Sequence, residues 1–163
     1  MRIVIYTHEF FPFAGGIATY NYELACGLCE CGHQVVIVAP EKGEVDTTGF
    51  PFEIEWVQAN NFKSLVFHVF QRLRSLQKTF KPDVYLASEH YAQIVTSVFR
   101  FFVNVPCIPI IHGSEIIRQT DRRNLFKRFL AWEMNCFYRK AHPVICISHY
   151  TRSLFLDAFK VPS

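Results

Sequence analysis

The sequence predicts an α/β fold: a Rossmann-like open parallel sheet with helices on both faces. Three observations carry that expectation. Short apolar, β-branched runs alternate with longer segments of helical spacing along the whole chain. Strict alternation of strand and helix requires parallel pairing through right-handed crossovers. The strand candidates are apolar at consecutive positions, as strands covered on both sides must be.

Residues 2–7 are the first strand, a β-branched run that begins directly after Met1. Gly15 and Gly16 then precede Ile17, Tyr20, Leu24 and Leu28, whose spacing predicts a helix over 16–30. Gly32 stops that helix where a left-handed residue is wanted, and 34–39 is the second strand. Residues 41–52, with Gly43, Gly49 and Pro51, read as a loop. Strands at 53–57, 83–87, 107–111 and 143–147, and helices at 63–79, 90–103, 122–140 and 149–159, complete the alternation. The chain holds no internal repeat, and its 163 residues make one domain, 1–163, with room for a core.

Composition narrows the function classes. Hydrophobic residues at 50% and charged residues at 19% exclude a disordered chain. A net charge of +3 is too small for a nucleic-acid footprint, so no nucleic-acid partner is expected. The 17 phenylalanines are more than usual, and Phe10, Phe11 and Phe13 are expected at an exposed surface that awaits a partner. Met1 leads straight into a strand, without the basic and apolar regions of a secretory leader. The most apolar stretch, 98–111, is broken by Arg100, Asn104, Pro106 and Pro109, well short of the ~20 apolar residues a membrane span needs. The six cysteines read as cytosolic thiols. Cys26, Cys29 and Cys31 have a metal-like spacing but no fourth ligand nearby in sequence, and Cys26 and Cys29 fit small core positions. No metal is expected, and the location read from these features is cytoplasmic.

Ligands of open α/β sheets bind outside the carboxyl ends of the strands. Three segments should meet there: the loop from Thr7 to Gly16, the turn His112-Gly113-Ser114-Glu115, and Ser148 with the residues after it. Gly15 and Gly16 open a helix, whose N–H groups and dipole favour a phosphate. They lack dinucleotide-site spacing, and a tight left-handed turn without a ligand is the other reading. His112 ends an apolar strand and is followed by Gly113, so it is either a crevice residue or a hydrogen-bonded loop histidine. His8 and Glu9 come directly after the first strand, where they contact an acceptor hydroxyl or are solvated. His33 belongs to the helix-ending turn and is structural. Ser148 is a good helix cap as well as a candidate substrate contact. Arg152, on the first turns of the last helix, is placed to meet an anionic group. Glu133 falls inside the apolar face formed by Leu125, Phe126, Phe129, Leu130, Trp132, Cys136 and Phe137, and a buried carboxylate there must be paired or protonated. Arg123, Lys127, Arg128 and Arg139 give that helix a basic face, either solvated or laid on an anionic membrane.

The order and spacing of these segments resemble the N-terminal domain of retaining, GT-B-fold glycosyltransferases of the family 4 type. The matching residues are Phe11-Pro12, Gly15-Gly16, Gly32-His33 with Val35, His112-Gly113, and Ile145-Cys146-Ile147-Ser148 before a helix. Ala141-His142 departs from the family, which often continues Ala-Asp there. The resemblance implies transfer of a sugar from a nucleotide-sugar donor to a sugar or lipid-linked acceptor hydroxyl, with retention. It places the donor diphosphate at Gly15 and Gly16 and the donor sugar beside His112. Glu9, Gly113, Ser148 and Arg152 become substrate contacts. It implies no cofactor and no metal, because backbone N–H groups and basic side chains stabilise the leaving diphosphate. It also implies a C-terminal donor-binding domain that this chain lacks, so the chain alone is expected to be inactive and truncated. Peripheral contact with the inner membrane face is implied for lipid-linked acceptors. The rival readings are a stand-alone, non-catalytic Rossmann-like binding domain and a nucleotide-sugar epimerase-like enzyme.

Overall fold

The structure, a computed structural model, describes residues 1–12, 15–113, 115–116, 125–141 and 143–159. Its elements run β1 (Arg2–Thr7), α1 (Gly16–Glu30), β2 (Gln34–Pro40), β3 (Glu53–Val57), α2 (Phe62–Thr79), β4 (Val84–Ser88), α3 (His90–Phe99), β5 (Cys107–Ile111), α4 (Leu125–Lys140), β6 (Ile145–Cys146) and α5 (His149–Phe159). The strands form one six-stranded sheet in the order β3-β2-β1-β4-β5-β6, all pairs parallel. This is the expected open Rossmann-like sheet.

Period-two alternation within β1 divides the core. Ile3 and Ile5 face α1 with Val35, Ile37 and Leu86. Val4 and Tyr6 face α2 and α3, against Leu65, Val69, Leu73, Val95 and Phe99. A third cluster, Ile111 with Met134, Phe137, Tyr138, Phe155 and Phe159, seats α4 and α5 on the β5 side. Gly32, at φ +81°, ends α1, and His33 N–H returns to Leu28 C=O at 3.0 Å, which gives that turn its structural role.

Two boundaries differ from the sequence reading. The helix expected over 90–103 stops at Phe99, and Arg100–Phe102 tighten into a 3₁₀ turn. The chain is already extended at Val103, and Pro106 keeps Val105 out of helical backbone, so the helix does not resume before β5. The strand expected over 143–147 shrinks to Ile145–Cys146. It lies at the sheet edge, next to Pro143, which has no N–H to give a ladder. The start of the helix expected over 122–140 lies outside the described residues, and the helix is described from Leu125.

Glu133 is buried, as its place on the apolar face of α4 implies, and it is paired: Arg100 Nη2 bonds its Oε1 at 3.1 Å. The expectation for Phe10 and Phe11 is overturned. Phe10 is only 1% exposed and Phe11 is half-buried; Phe13 lies outside the described residues. The cause is the connection from β2 to β3, which contains no helix. The rings of Phe10, Phe11, Tyr22, Phe50, Phe52 and Trp56 fill the space a helix would take, packed mostly edge-on or tilted. The exposed aromatics are elsewhere: Phe62, Phe67, Phe101, Phe102 and Tyr150, together with Phe129 and Trp132, which the sequence placed in the apolar face of α4 but which lie largely open. No helix among the described residues is long and apolar enough to cross a membrane.

Candidate functional site

The strand order reverses between β1 and β4, and this switch point is where an open α/β sheet forms its crevice. Thr7 and Ser88, the last residues of the two strands, pair across it. Polar side chains are concentrated here although the surroundings are apolar: Thr7, Asn21, Ser88, Glu89, Gln93 and Glu115 are all buried. Their hydrogen bonds run to the main chain, to one another, and to the side chains of His112 and Tyr138. Thr7 Oγ1 accepts from Asn21 Nδ2 at 3.0 Å and from Glu9 N–H at 3.2 Å. Gln93 Nε2 donates to Ile110 C=O at 2.7 Å and its Oε1 accepts from Tyr138, which ties α3 to β5 and α4.

His112 leaves the end of β5 beside this corner. Its Nε2 lies 2.9 Å from Ser88 Oγ, and Tyr20 of α1 stands edge-on to its ring at 5.1 Å. Burial lowers its pKa to about 4, so the imidazole is neutral at neutral pH. The main chain under it is clamped. The buried carboxylate of Glu115 accepts from His112 N–H at 3.1 Å and from Gly113 N–H at 2.8 Å. Gly113 sits at φ +110°, a conformation only glycine adopts without strain. Its N–H is thus spent inside the turn.

Gly15 and Gly16 lie on the same rim, Gly16 one helical turn before Tyr20. The left-handed-turn reading fails: Gly15 is extended at φ −129°, and Gly16 begins α1. A Cβ at either would meet nothing within 4 Å. Neither conformation nor crowding among the described residues calls for glycine. The N-terminus of α1 has no side-chain cap and no acidic residue in its first turn. The N-terminus of α3 is the opposite case. Glu89 caps it, accepting from Ala92 N–H at 2.7 Å and Tyr91 N–H at 2.8 Å, and reaches His8 N–H at 3.3 Å. Burial raises its pKa to about 7 against those three donors. Glu89 also holds φ +78°, a strained conformation for a side-chain-bearing residue.

The other sequence candidates divide. Glu9 is half-buried at the rim, its main chain tied to Thr7. His8 packs on Tyr91, and burial and the charge of Lys42 lower its pKa. Ser148 is the N-cap of α5: its Oγ accepts from Thr151 N–H at 3.0 Å and pairs with Thr151 Oγ1 at 2.9 Å. Arg152 is exposed on the first turn of α5. These two sit one strand beyond His112 on the same sheet edge, since Ile147 N–H bonds Ile111 C=O. No group of His, Cys, Asp and Glu with metal-site geometry occurs among the described residues. Sequence reasoning passed over Ser88, Glu89 and Tyr20. The polar run Ser88-Glu89-His90 at the end of an apolar strand was the available signal.

The fold matches solved proteins over nearly the whole chain. Sucrose-phosphate synthase from Thermosynechococcus elongatus superposes with a TM-score of 0.73 at 12% identity, covering 99% of this chain and 46% of that one. Anabaena Alr3699/HepE, in complex with UDP and glucose, gives 0.67 at 19% identity, covering 97% and 41%. WaaG, a glycosyltransferase involved in lipopolysaccharide biosynthesis, gives 0.61 at 12% identity, covering 98% and 42%. The chain thus spans less than half the length of each of these proteins. No curated protein sequence matches it. Residues 14–163 match Glycosyltransferase Family 4, and the chain, folded as the N-terminal domain of a GT-B glycosyltransferase, belongs to that family.

Proposed function

We propose that this chain is the acceptor-side, N-terminal domain of a glycosyltransferase that moves a sugar from a nucleotide-sugar donor to an acceptor hydroxyl with retention. One observation carries the reading. An uncapped helix N-terminus opened by two glycines and a neutral, clamped histidine share the switch-point rim in a chain of this family. Among the described residues neither backbone conformation nor crowding requires glycine at 15 or 16, which supports a use with a ligand. Backbone donors at the start of α1 suit a diphosphate, and the UDP held by Alr3699/HepE supports that chemistry. His112 then lies beside the donor sugar, and Glu9, Gly113, Ser148 and Arg152 line the acceptor side. Gly113 contributes by what it lacks, since its N–H is already engaged.

The carboxylates at the corner are committed to structure, Glu89 to three N–H groups and Glu115 to two. In this reading the rate comes from stabilising charge on the departing diphosphate. No metal enters this reading. A C-terminal domain supplies most of the donor contacts, and a sugar or lipid-linked acceptor enters from this half. The exposed Arg128, Arg139 and Lys140 on α4, flanked by exposed Phe129 and Trp132, suit peripheral contact with an anionic inner-membrane face.

The test is a full-length enzyme assayed against UDP- and GDP-sugars. His112→Ala should lose on the order of 10²-fold in turnover, much more than the loss of its bond to Ser88 costs in stability, and the product anomer should keep the donor's configuration. This chain alone should show no turnover and bind donors more weakly than micromolar, about −8 kcal/mol. Near-normal turnover in His112→Ala would reduce that residue to a loop histidine.

A further inference from the structure

We infer that Ser88 is a positioning residue for His112: its hydroxyl donates to Nε2 and holds the imidazole as the neutral Nδ1–H tautomer, so the ring nitrogen left to the crevice is a hydrogen-bond donor. That it presents this donor to an oxygen of the donor sugar rests on the glycosyltransferase reading above.

Ser88 is fixed more rigidly than any loop residue at the site. It is the last residue of β4, in register with Thr7 on one side and Ile110 on the other, and fully buried. Its hydroxyl makes one hydrogen bond among the described residues, the 2.9 Å contact to His112 Nε2. A hydroxyl carries one hydrogen and two lone pairs. Were Nε2–H the donor, the serine hydrogen would be left buried without an acceptor, and an unmade buried hydrogen bond is costly. With serine donating, every proton at the contact is used. Nε2 must then carry a lone pair, and the single proton of the neutral ring must sit on Nδ1.

The ring has little freedom to escape. Tyr20 meets it edge-on at 89° between ring planes. Glu115 holds the N–H groups of His112 and Gly113, which fixes the backbone from which the ring projects. The neutral state required is the one burial enforces. Nδ1 has no partner among the described residues and is not one of the enclosed, unpartnered polar atoms, so it is open to a ligand.

A donor at this nitrogen chooses its ligand. It bonds to a sugar hydroxyl or ring oxygen through that oxygen's lone pair. An Nε2–H tautomer would instead show the crevice a lone pair, suited to a ligand that gives a proton. Ser88 thus sets the polarity of the contact without touching substrate.

The tautomer is read directly from long-range ¹H–¹⁵N correlations of the histidine rings in this chain near neutral pH. The expected pattern for His112 is a protonated Nδ1 and a bare Nε2. In Ser88→Ala the ring should shift toward Nε2–H, the form histidine favours in water, and its pKa should rise. Ser88→Thr, which keeps the hydroxyl, should restore the wild-type pattern. In the full-length enzyme Ser88→Ala should lower kcat/KM about tenfold, the worth of one hydrogen bond, and move the acid limb of its pH profile upward. A wild-type ring protonated at Nε2 overturns the inference with no variant needed, as does an Nδ1–H pattern that persists in Ser88→Ala. Unchanged kcat/KM and pH profile in Ser88→Ala overturn its link to the reaction. The expected tautomer in a full-length protein that transfers no sugar overturns the glycosyltransferase reading instead, and the role of Ser88 stands.

Discussion

Replacing Glu89 with glutamine should reverse its effect on stability between acid and alkaline pH. Glu89 carries a pKa raised from 4.5 to about 7, chiefly by burial, with the charge of Glu9 adding to it and the N–H groups of Tyr91, Ala92 and His8 opposing it. The folded pKa lies above the unfolded one, so the fold binds this proton more tightly than the unfolded chain does. The stability that gives is fully present below about pH 4.5 and is lost as pH rises through about 7. From 4.5 to about 7, at about 1.36 kcal/mol per pH unit, the loss is about 3 kcal/mol. Glutamine keeps the shape, the strained φ and one acceptor oxygen, and never ionises. Its amide must turn an N–H₂ toward one of the three backbone donors, at a cost of about 1 kcal/mol. Glu89→Gln should therefore be about 1 kcal/mol less stable than wild type below about pH 4, close to level near pH 5 and about 2 kcal/mol more stable near pH 8.5. His8 and His112, both lowered by burial, tilt the two curves equally at acid pH and cancel in the difference. Urea unfolding followed by circular dichroism at several pH values measures it. Parallel curves, with the variant uniformly weaker, would mean that the three N–H groups hold the carboxyl ionised throughout.

Three other perturbations separate roles that coincide in the wild type. Gly16→Ala should leave Tm unchanged or slightly raised, because its Cβ meets nothing and alanine favours a helix. In the full-length enzyme it should raise the donor KM at least about tenfold, as lost backbone approach to a charged group would; an unchanged KM removes the phosphate from that rim. Arg100→Met should cost about 3 kcal/mol in urea unfolding near neutral pH, because it strands the buried Glu133. Adding Glu133→Gln should recover most of that loss, and a failure to recover would assign the cost to lost stacking of Arg100 on Phe101 and Phe137. Phe129→Ser with Trp132→Ser should leave Tm unchanged, since both rings are largely exposed, and should weaken cosedimentation with phosphatidylglycerol vesicles. Equal binding by wild type and variant would make the basic face of α4 a solvated one.

The fold was readable because its signals are local and redundant. Gly32 stops α1 at the expected place, and the apolar runs at 34–39, 53–57 and 107–111 each fall within one residue of an observed strand. The errors came where distant context outweighed local pattern. Arg100–Phe102 have helical composition, yet Pro106 and the start of β5 force the chain straight. Phe10 and Phe11 looked like surface residues because they sit in a loop. They are covered because 41–52 crosses the sheet without a helix, which leaves an apolar face for rings to close. Nothing near Phe10 in sequence announces that gap; it belongs to Phe50, Phe52 and Trp56, some forty residues on.

The site was legible for a different reason and to a different depth. His112, Gly15 and Gly16 stand out one at a time, because a strand end followed by glycine and a glycine pair before a helix are visible in a few letters. What they do depends on partners that are not. Ser88 reaches His112 across two neighbouring strands, and Glu89 reaches His8 from β4 back to β1, because parallel pairing sets Ser88 level with Thr7 and Ile110. No window of sequence brings those residues together; only the order β1-β4-β5 does. A carboxyl and a hydroxyl that sequence reading passes over as ordinary strand-end polarity thereby hold the main chain of one histidine and the ring of the other. The residue that would touch a substrate is the conspicuous one, and the residues that decide how it touches are conspicuous only once the sheet is assembled.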